Sequence, residues 1–446
     1  MKNKFSTIAF GIFSILFMMG TLLPFNVHAT NLEYTARYVS LNRQSAALYQ
    51  PVRKSAKSGI AIVVMHSNQD YMDFIANAEL ARRGYTVLAT VPSGNTITSK
   101  LQNVKKCVAY LRTQPEIRKV VLLGHSGGAT IMTAYQMVAE QGASVLKEKL
   151  YPDYRESLEN LPKADGVLLL DANWGLSTVM LNSIDPNIES EDRGTSLGNQ
   201  YRLDDPAIGY NPNGKSNYDK KFLANYMRAQ RDRFTRLMDK AQQRLEVIQK
   251  GEGNFLDDEP FVVPAANSVR FYNKLYPQDT DLLSHTKGKW PLIHRDGSIT
   301  VEVVRSVRAP MKVRQGGMNL GDTQNTTVRG FLSTYAMTVD EDYCITETGM
   351  EGIHWNSNIN TPIGNIEGVT VPLLCVGMTA SWEYLASEYI YHHASSKDKS
   401  LAFIEGAGHM FNPDRSAEKY NNADYGDTVK LLFDYVDAWL SEEGRF

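Results

Sequence analysis

The five residues Gly124-His125-Ser126-Gly127-Gly128 constrain this chain more than any other stretch. They separate the apolar, β-branched run Val120-Val121-Leu122-Leu123 from a segment, Gly127 to about Glu140, whose apolar residues recur at helical spacing. A strand that turns into a helix over so few residues forces its central residue into strained dihedrals. Small neighbours at 124 and 128 then let the backbones approach. Such a turn exposes the Ser126 hydroxyl at the carboxyl end of a sheet. It also aims the Gly127 amide, reinforced by the helix dipole, at the place where an oxyanion would form. A glycine-rich phosphate turn is the competing explanation, but neither a Lys-Ser/Thr pair nor G-x-G-x-x-G is present here.

The flanking sequence places this turn in an α/β chain. Gly59 to Met65 is a short, fully apolar run ended by His66-Ser67-Asn68, which reads as a buried strand. A helix is expected from about Met72 to Arg83, a strand from Thr86 to Val91, a helix from about Thr98 to Leu111, and a strand from Gly166 to Leu170. The alternation stops between about Leu176 and Glu367, where turn-rich stretches surround one long helix, about Tyr218 to Lys250. In that helix Leu223, Met227, Phe234, Met238, Ala241, Leu245 and Ile248 form one apolar face, which Gln230 interrupts as an ordinary rim residue. Strand–helix alternation then resumes from Val371 to a final helix ending near Leu440. Strands alternating with helices argue for a parallel sheet covered on both faces.

A serine hydroxyl needs a base to take its proton. His409 follows the strand Leu401-Ala402-Phe403-Ile404 in the loop Glu405-Gly406-Ala407-Gly408-His409. In an open α/β sheet that loop lies at the same carboxyl edge as Ser126. Taken together, the turn at Ser126, the strand that ends in His66, and Gly406-Ala407-Gly408-His409 resemble the α/β-hydrolase superfamily over residues 59–175 and 371–412, with the nucleophile, acid and histidine in order. The whole chain also looks like large secreted serine hydrolases of that superfamily that carry a long insertion.

The resemblance implies a mostly parallel, doubly wound α/β-hydrolase sheet, 30–175 and 368–446, with a large, mainly helical insertion or cap, 176–367, between the sixth and seventh strands. It makes Ser126 the nucleophile and His409 the general base, and it gives the second oxyanion amide to the loop around Ser67, with Asn68 as the other donor. Many members read Gly-Thr-Ala-Asp after the penultimate strand, whereas this chain reads Gly377-Met378-Thr379-Ala380-Ser381-Trp382-Glu383. Ser381 cannot orient an imidazolium by charge. Glu383, with its longer side chain, is the first candidate for the acid, Asp171 at the end of Leu168-Leu169-Leu170 the second, and Glu388 a distant third. The expected activity is cleavage of a carboxylic ester in a small molecule, with amide, lactone or acyl-transfer chemistry open on the same residues and a non-catalytic ligand-binding protein of the same fold as the rival. Trp290, Phe331, Tyr335 and Trp355 hint at a bulky apolar substrate, although core packing explains them equally well.

Composition fits an enzyme acting on small molecules. The 446 residues are 43% hydrophobic and 22% charged with a net charge of −2, which excludes a disordered chain and leaves no basic footprint for nucleic acid. Lys2 and Lys4, the apolar run Phe5 to Phe25 and Val27-His28-Ala29 have the order of a secretory signal peptide cleaved after Ala29. Gly20 and Pro24 disfavour a continuous spanning helix, so the expected mature protein has no stable membrane span and is periplasmic or secreted. Three cysteines, Cys107, Cys344 and Cys375, allow one disulfide at most. Neither His-x-His, Cys-x-x-Cys nor His-Glu-x-x-His occurs, so no metal and no cofactor is expected.

Overall fold

Alternate residues of the central strands face two different cores. Val63, Val120, Leu122, Leu169, Cys375 and Phe403 pack into one apolar cluster, and their neighbours Val64, Val121, Leu123, Leu170, Val376 and Ile404 pack into the other. Strands apolar on both faces are stable only between two layers of helix, and this dictates a doubly wound sheet. The computed structural model describes residues 34–191, 198, 200–266, 274–311 and 323–446. The expected signal peptide lies outside them.

The strands are β1 (Tyr34–Ser40), β2 (Ser45–Pro51), β3 (Ile60–Val64), β4 (Thr86–Thr90), β5 (Lys119–Ser126), β6 (Gly166–Ala172), β7 (Pro260–Val263), β8 (His285–Ile293), β9 (Ile299–Arg305), β10 (Gln324–Thr327), β11 (Thr338–Ile345), β12 (Met350–His354), β13 (Leu373–Met378) and β14 (Lys399–Ile404). The helices are α1 (Ile75–Arg82), α2 (Ile97–Arg112), α3 (Gly128–Gln141), α4 (Leu176–Leu181), α5 (Lys220–Gln249), α6 (Val328–Tyr335), α7 (Pro362–Asn365), α8 (Ala386–His393), α9 (Arg415–Asn421) and α10 (Thr428–Leu440). The main sheet runs β1-β2-β4-β3-β5-β6-β13-β14-β8-β9. It is parallel from β4 to β8 and antiparallel at both margins. Leu80 of α1 and Phe433 and Val436 of α10 close one face, while Leu101 and Val108 of α2 and Ile131 and Tyr135 of α3 close the other. The fold is therefore α/β, a mostly parallel sheet wound on both sides.

Residues 176–367 depart from a mainly helical insertion. They hold α5, but also β7 to β12, and β8 extends the main sheet beside β14. The hairpin β8–β9 turns at Asp296-Gly297, with Gly297 at φ +83°, and its second strand alternates as Ile299-Thr300-Val301-Glu302-Val303-Val304. Gly288 and Pro291 inside the first strand disguise it in the sequence. Gln230 is not a rim residue: it is buried and donates to the Ile184 carbonyl at 2.9 Å, anchoring α5 to the end of α4. Arg233, one turn on, is also buried, and it forks onto Glu191 at 2.6 and 3.0 Å. All three cysteines are free thiols, and Cys107 and Cys375 are buried among apolar side chains. Among the described residues no helix is long and apolar enough to cross a membrane.

The elbow between β5 and α3 fixes where the serine stands. A Cβ on Gly124 would sit 2.5 Å from the Ala129 Cα, and one on Gly128 would sit 2.6 Å from the Met65 carbonyl oxygen at the end of β3. Helix propensity alone favours alanine over glycine at 128 by up to about 1 kcal/mol. The contact with a fixed carbonyl reverses the sign. Gly128→Ala is expected to lower stability by about 1–3 kcal/mol, measured as a fall in the urea midpoint, whereas a neutral or raised midpoint would mean that the elbow yields.

Candidate active site

Ser126 closes β5 at φ +53°, a left-handed conformation that a side-chain-bearing residue holds only where its surroundings impose it. Its carbonyl accepts a hydrogen bond from the Asn173 amide at 3.3 Å, which ties the elbow to the end of β6. Between these two strands the ladder slips. His125 pairs with Leu170, but Ser126 pairs with Ala172, so Asp171 is an extra residue on β6, itself at φ +46°. A bulge of this kind re-aims the side chain it carries.

The re-aimed carboxylate meets the imidazole of His409. Asp171 Oδ2 lies 2.6 Å from His409 Nδ1, and Oδ1 accepts the Met378 amide at 3.2 Å. Asp171 is fully buried. Burial pushes the His409 pKa down, but the hydrogen bond to Asp171 and its charge, with Glu383 adding, outweigh that and hold it above the usual 6.5. The carboxylate can only accept when ionised, so Nδ1 carries the proton and Nε2 is left to face the cavity.

Glu383 stands elsewhere. Its Oε1 accepts from the indole Nε1 of Trp382 at 2.9 Å, and the Trp382 ring stacks on His409 with centroids 5.3 Å apart. Burial raises the Glu383 pKa, while Lys274 and His409 pull it down. The structure thus joins His409 to Asp171, while Glu383 is joined to Trp382. Glu388, the third candidate, is spent on the amides of Lys287 and Gly288 and the indole of Trp290. The cause is the bulge. It turns Asp171 out of the alternation of β6, whereas Glu383 N–H folds back onto Ser381 Oγ at 3.2 Å in a local turn.

The loop after β3 packs on the elbow. A Cβ on Gly127 would collide with the Ser67 hydroxyl, so the Ser67 side chain lies against the elbow. The Asn68 amide is committed to His66 Nδ1 at 3.3 Å. Burial, with the His409 charge adding, brings His66 down to about 4, so its ring is neutral.

One site residue escaped the sequence analysis. His125, between Gly124 and Ser126, is buried. Its Nε2 donates to the His409 carbonyl at 2.7 Å, and its Nδ1 accepts from the Tyr71 hydroxyl at 2.7 Å. Burial, then the His409 charge, pushes its pKa well down, consistent with a neutral ring. It positions the backbone that presents the His409 side chain. The only sequence signal was its place inside the turn.

Ser126, Gly127, Ser67, His409 and Glu383 line one cavity of about 530 Å³. Leu176, Lys274, Gln324 to Thr327, Thr334 and Tyr335, all from the 176–367 segment, complete its wall. The wall is rich in amides and hydroxyls. Of the four aromatics expected to shape an apolar pocket only Tyr335 lines it. Phe331 is buried against Phe261 and Trp355 against Trp174, while the half-buried Trp290 packs edge-on against Tyr391.

No family model matches the chain, and no curated protein matches it. Among solved structures it is similar to Est1E from Butyrivibrio proteoclasticus, at 10% identity over 91% of this chain and 99% of that one, with a TM-score of 0.40. It is similar to carboxyl esterase 2 from the mycorrhizal fungus Tuber melanosporum, at 9% identity, 93% and 90% coverage and a TM-score of 0.39. The siderophore hydrolase EstB from Aspergillus fumigatus is alike at 12% identity, 92% and 98% coverage and a TM-score of 0.39. With TM-scores below 0.5 these likenesses decide neither the fold nor the reaction, and the fold rests on the sheet itself.

Because Asp171 and Glu383 both raise the His409 pKa, the imidazole is expected to titrate above 6.5 when followed by the NMR shift of its Cε1 proton. Glu383→Gln removes one of the charges that favour the cation, so the midpoint should move down. An unchanged midpoint would take Glu383 out of the site's electrostatics.

Proposed function

We propose that this protein is a serine hydrolase that cleaves a carboxylic ester through an acyl-enzyme. The observation that carries the proposal is the strained Ser126 in the same cavity as a histidine whose Nδ1 lies 2.6 Å from a fully buried aspartate. Ser126 Oγ attacks the ester carbonyl while His409 Nε2 takes its proton. The carbonyl oxygen, now carrying the negative charge, is met by the amides of Gly127 and Ser67. The tetrahedral intermediate collapses as the C–O bond breaks, and the alcohol leaves with the proton from His409. Water then attacks the acyl-enzyme, gives its proton to His409, and Ser126 departs with that proton as the acid is released. Asp171 holds the imidazole in the Nδ1–H tautomer throughout and stabilises the imidazolium.

The proposal draws on the superfamily resemblance for the order of nucleophile, acid and histidine, and it assigns the acid to Asp171. Residues 176–367 act in it as the part that covers the cavity. The leader-like first thirty residues support a periplasmic or secreted site of action.

With short p-nitrophenyl esters the wild-type protein should release p-nitrophenol, and Ser126→Ala should lose at least about a thousandfold in kcat. A folded wild-type protein that turns over no ester, or a Ser126→Ala variant that retains turnover, would overturn the proposal.

A further inference from the structure

The cavity contains a cation that has no partner among the described residues. Lys100 sits in the first turn of α2, is 9% exposed, and lines the cavity together with Ser67, Asn68, Asn95 and Ser126. Among the described residues its ammonium group has neither a hydrogen bond nor an ion pair, and burial alone lowers its pKa. The nearby carboxylate of Asp153 is taken by the Thr98 hydroxyl and by Arg155, at 3.1 Å. Lys274, the other cavity lysine, differs: burial brings it down to about 8, but Glu383 pulls the other way.

The position compounds the cost. A first helical turn carries the positive end of the dipole and favours acids, yet the first turn of α2 has none and bears Lys100 instead. Lysines are rarely buried unless paired. A desolvated cation that lines a cavity is what an anionic ligand would satisfy.

We propose that the substrate carries a carboxylate close to its scissile ester, and that Lys100 is the residue that selects it. The assignment rests on the hydrolase function proposed above for the turnover, but not for the binding. One ammonium balances one negative charge, which fits a monoanionic carboxylate such as that of a dicarboxylic half-ester. An apolar ester would leave the Lys100 ammonium buried and unpaired.

Two measurements separate this proposal from the function it rests on. The first is binding of glutarate, a non-reacting dicarboxylate, followed by calorimetry on the full chain. Saturable binding weakened at least tenfold in Lys100→Met and restored in Lys100→Arg supports the proposal even if no ester turns over. Absent binding, or equal affinity in Lys100→Met, overturns it even if esters are hydrolysed. The second is the ratio of kcat/KM for mono-p-nitrophenyl glutarate over p-nitrophenyl valerate. It should exceed unity in the wild type, fall at least tenfold in Lys100→Met, and fall further in Lys100→Glu. An unchanged ratio overturns the selection role. Lys100→Met removes an unpaired buried charge, so its thermal midpoint should not drop, and a large drop would mean that Lys100 is structural instead.

Discussion

The hydrogen bond between Asp171 and His409 is the contact on which the rest of the site depends. It joins the end of β6 and the loop after β14, two segments more than two hundred residues apart, and its Asp171 end is fully buried. A carboxylate buried there must find its partners or be protonated, and Asp171 finds two, the His409 ring and the Met378 amide. The bulge that aims it lies opposite His125 and Ser126 of the partner strand, so one irregularity sets the positions of both Asp171 and Ser126.

Around that contact the site is over-determined. Ser126 and Asp171 both occupy left-handed backbone conformations, and each is held by an element packed against it. The Met65 carbonyl bears on Gly128, the Asn173 amide on the Ser126 carbonyl, and His125 on the backbone of His409. Tyr71, Phe74 and Phe411 wall in the neutral His125 ring, and its hydrogen bond to the His409 carbonyl fixes the proton on Nε2. Strain concentrated on two residues and balanced by close packing is characteristic of a preorganised centre. The cavity in front of it has a polar wall, and Lys100 lines it without a hydrogen bond or ion pair among the described residues.

The sheet was legible because its strands are apolar on both faces and end in polar loops, and because the Ser126 turn is sterically unusual enough to be distinctive. His409 could be read from its loop after the last strand. The choice of acid could not: a bulge in a parallel ladder depends on backbone dihedrals that Leu168-Leu169-Leu170-Asp171 does not display, and Glu383 stands in the more familiar place. His125 looked like filler inside a motif. The β8–β9 hairpin did carry a signal, Asp296-Gly297 before an alternating strand, but Gly288 and Pro291 masked its first half. Lys100 reads in sequence as a solvated helix residue, and only the packing of α2 against the cavity shows that it is not.

The most direct test of the Asp171–His409–Ser126 relay is the rate at which a fluorophosphonate modifies Ser126, followed by mass spectrometry of the labelled peptide. The relay predicts a single modification at Ser126, slowed by about four orders of magnitude in Asp171→Asn and by less than about tenfold in Glu383→Gln. Equal labelling of wild type and Asp171→Asn, or loss of labelling in Glu383→Gln alone, would contradict it.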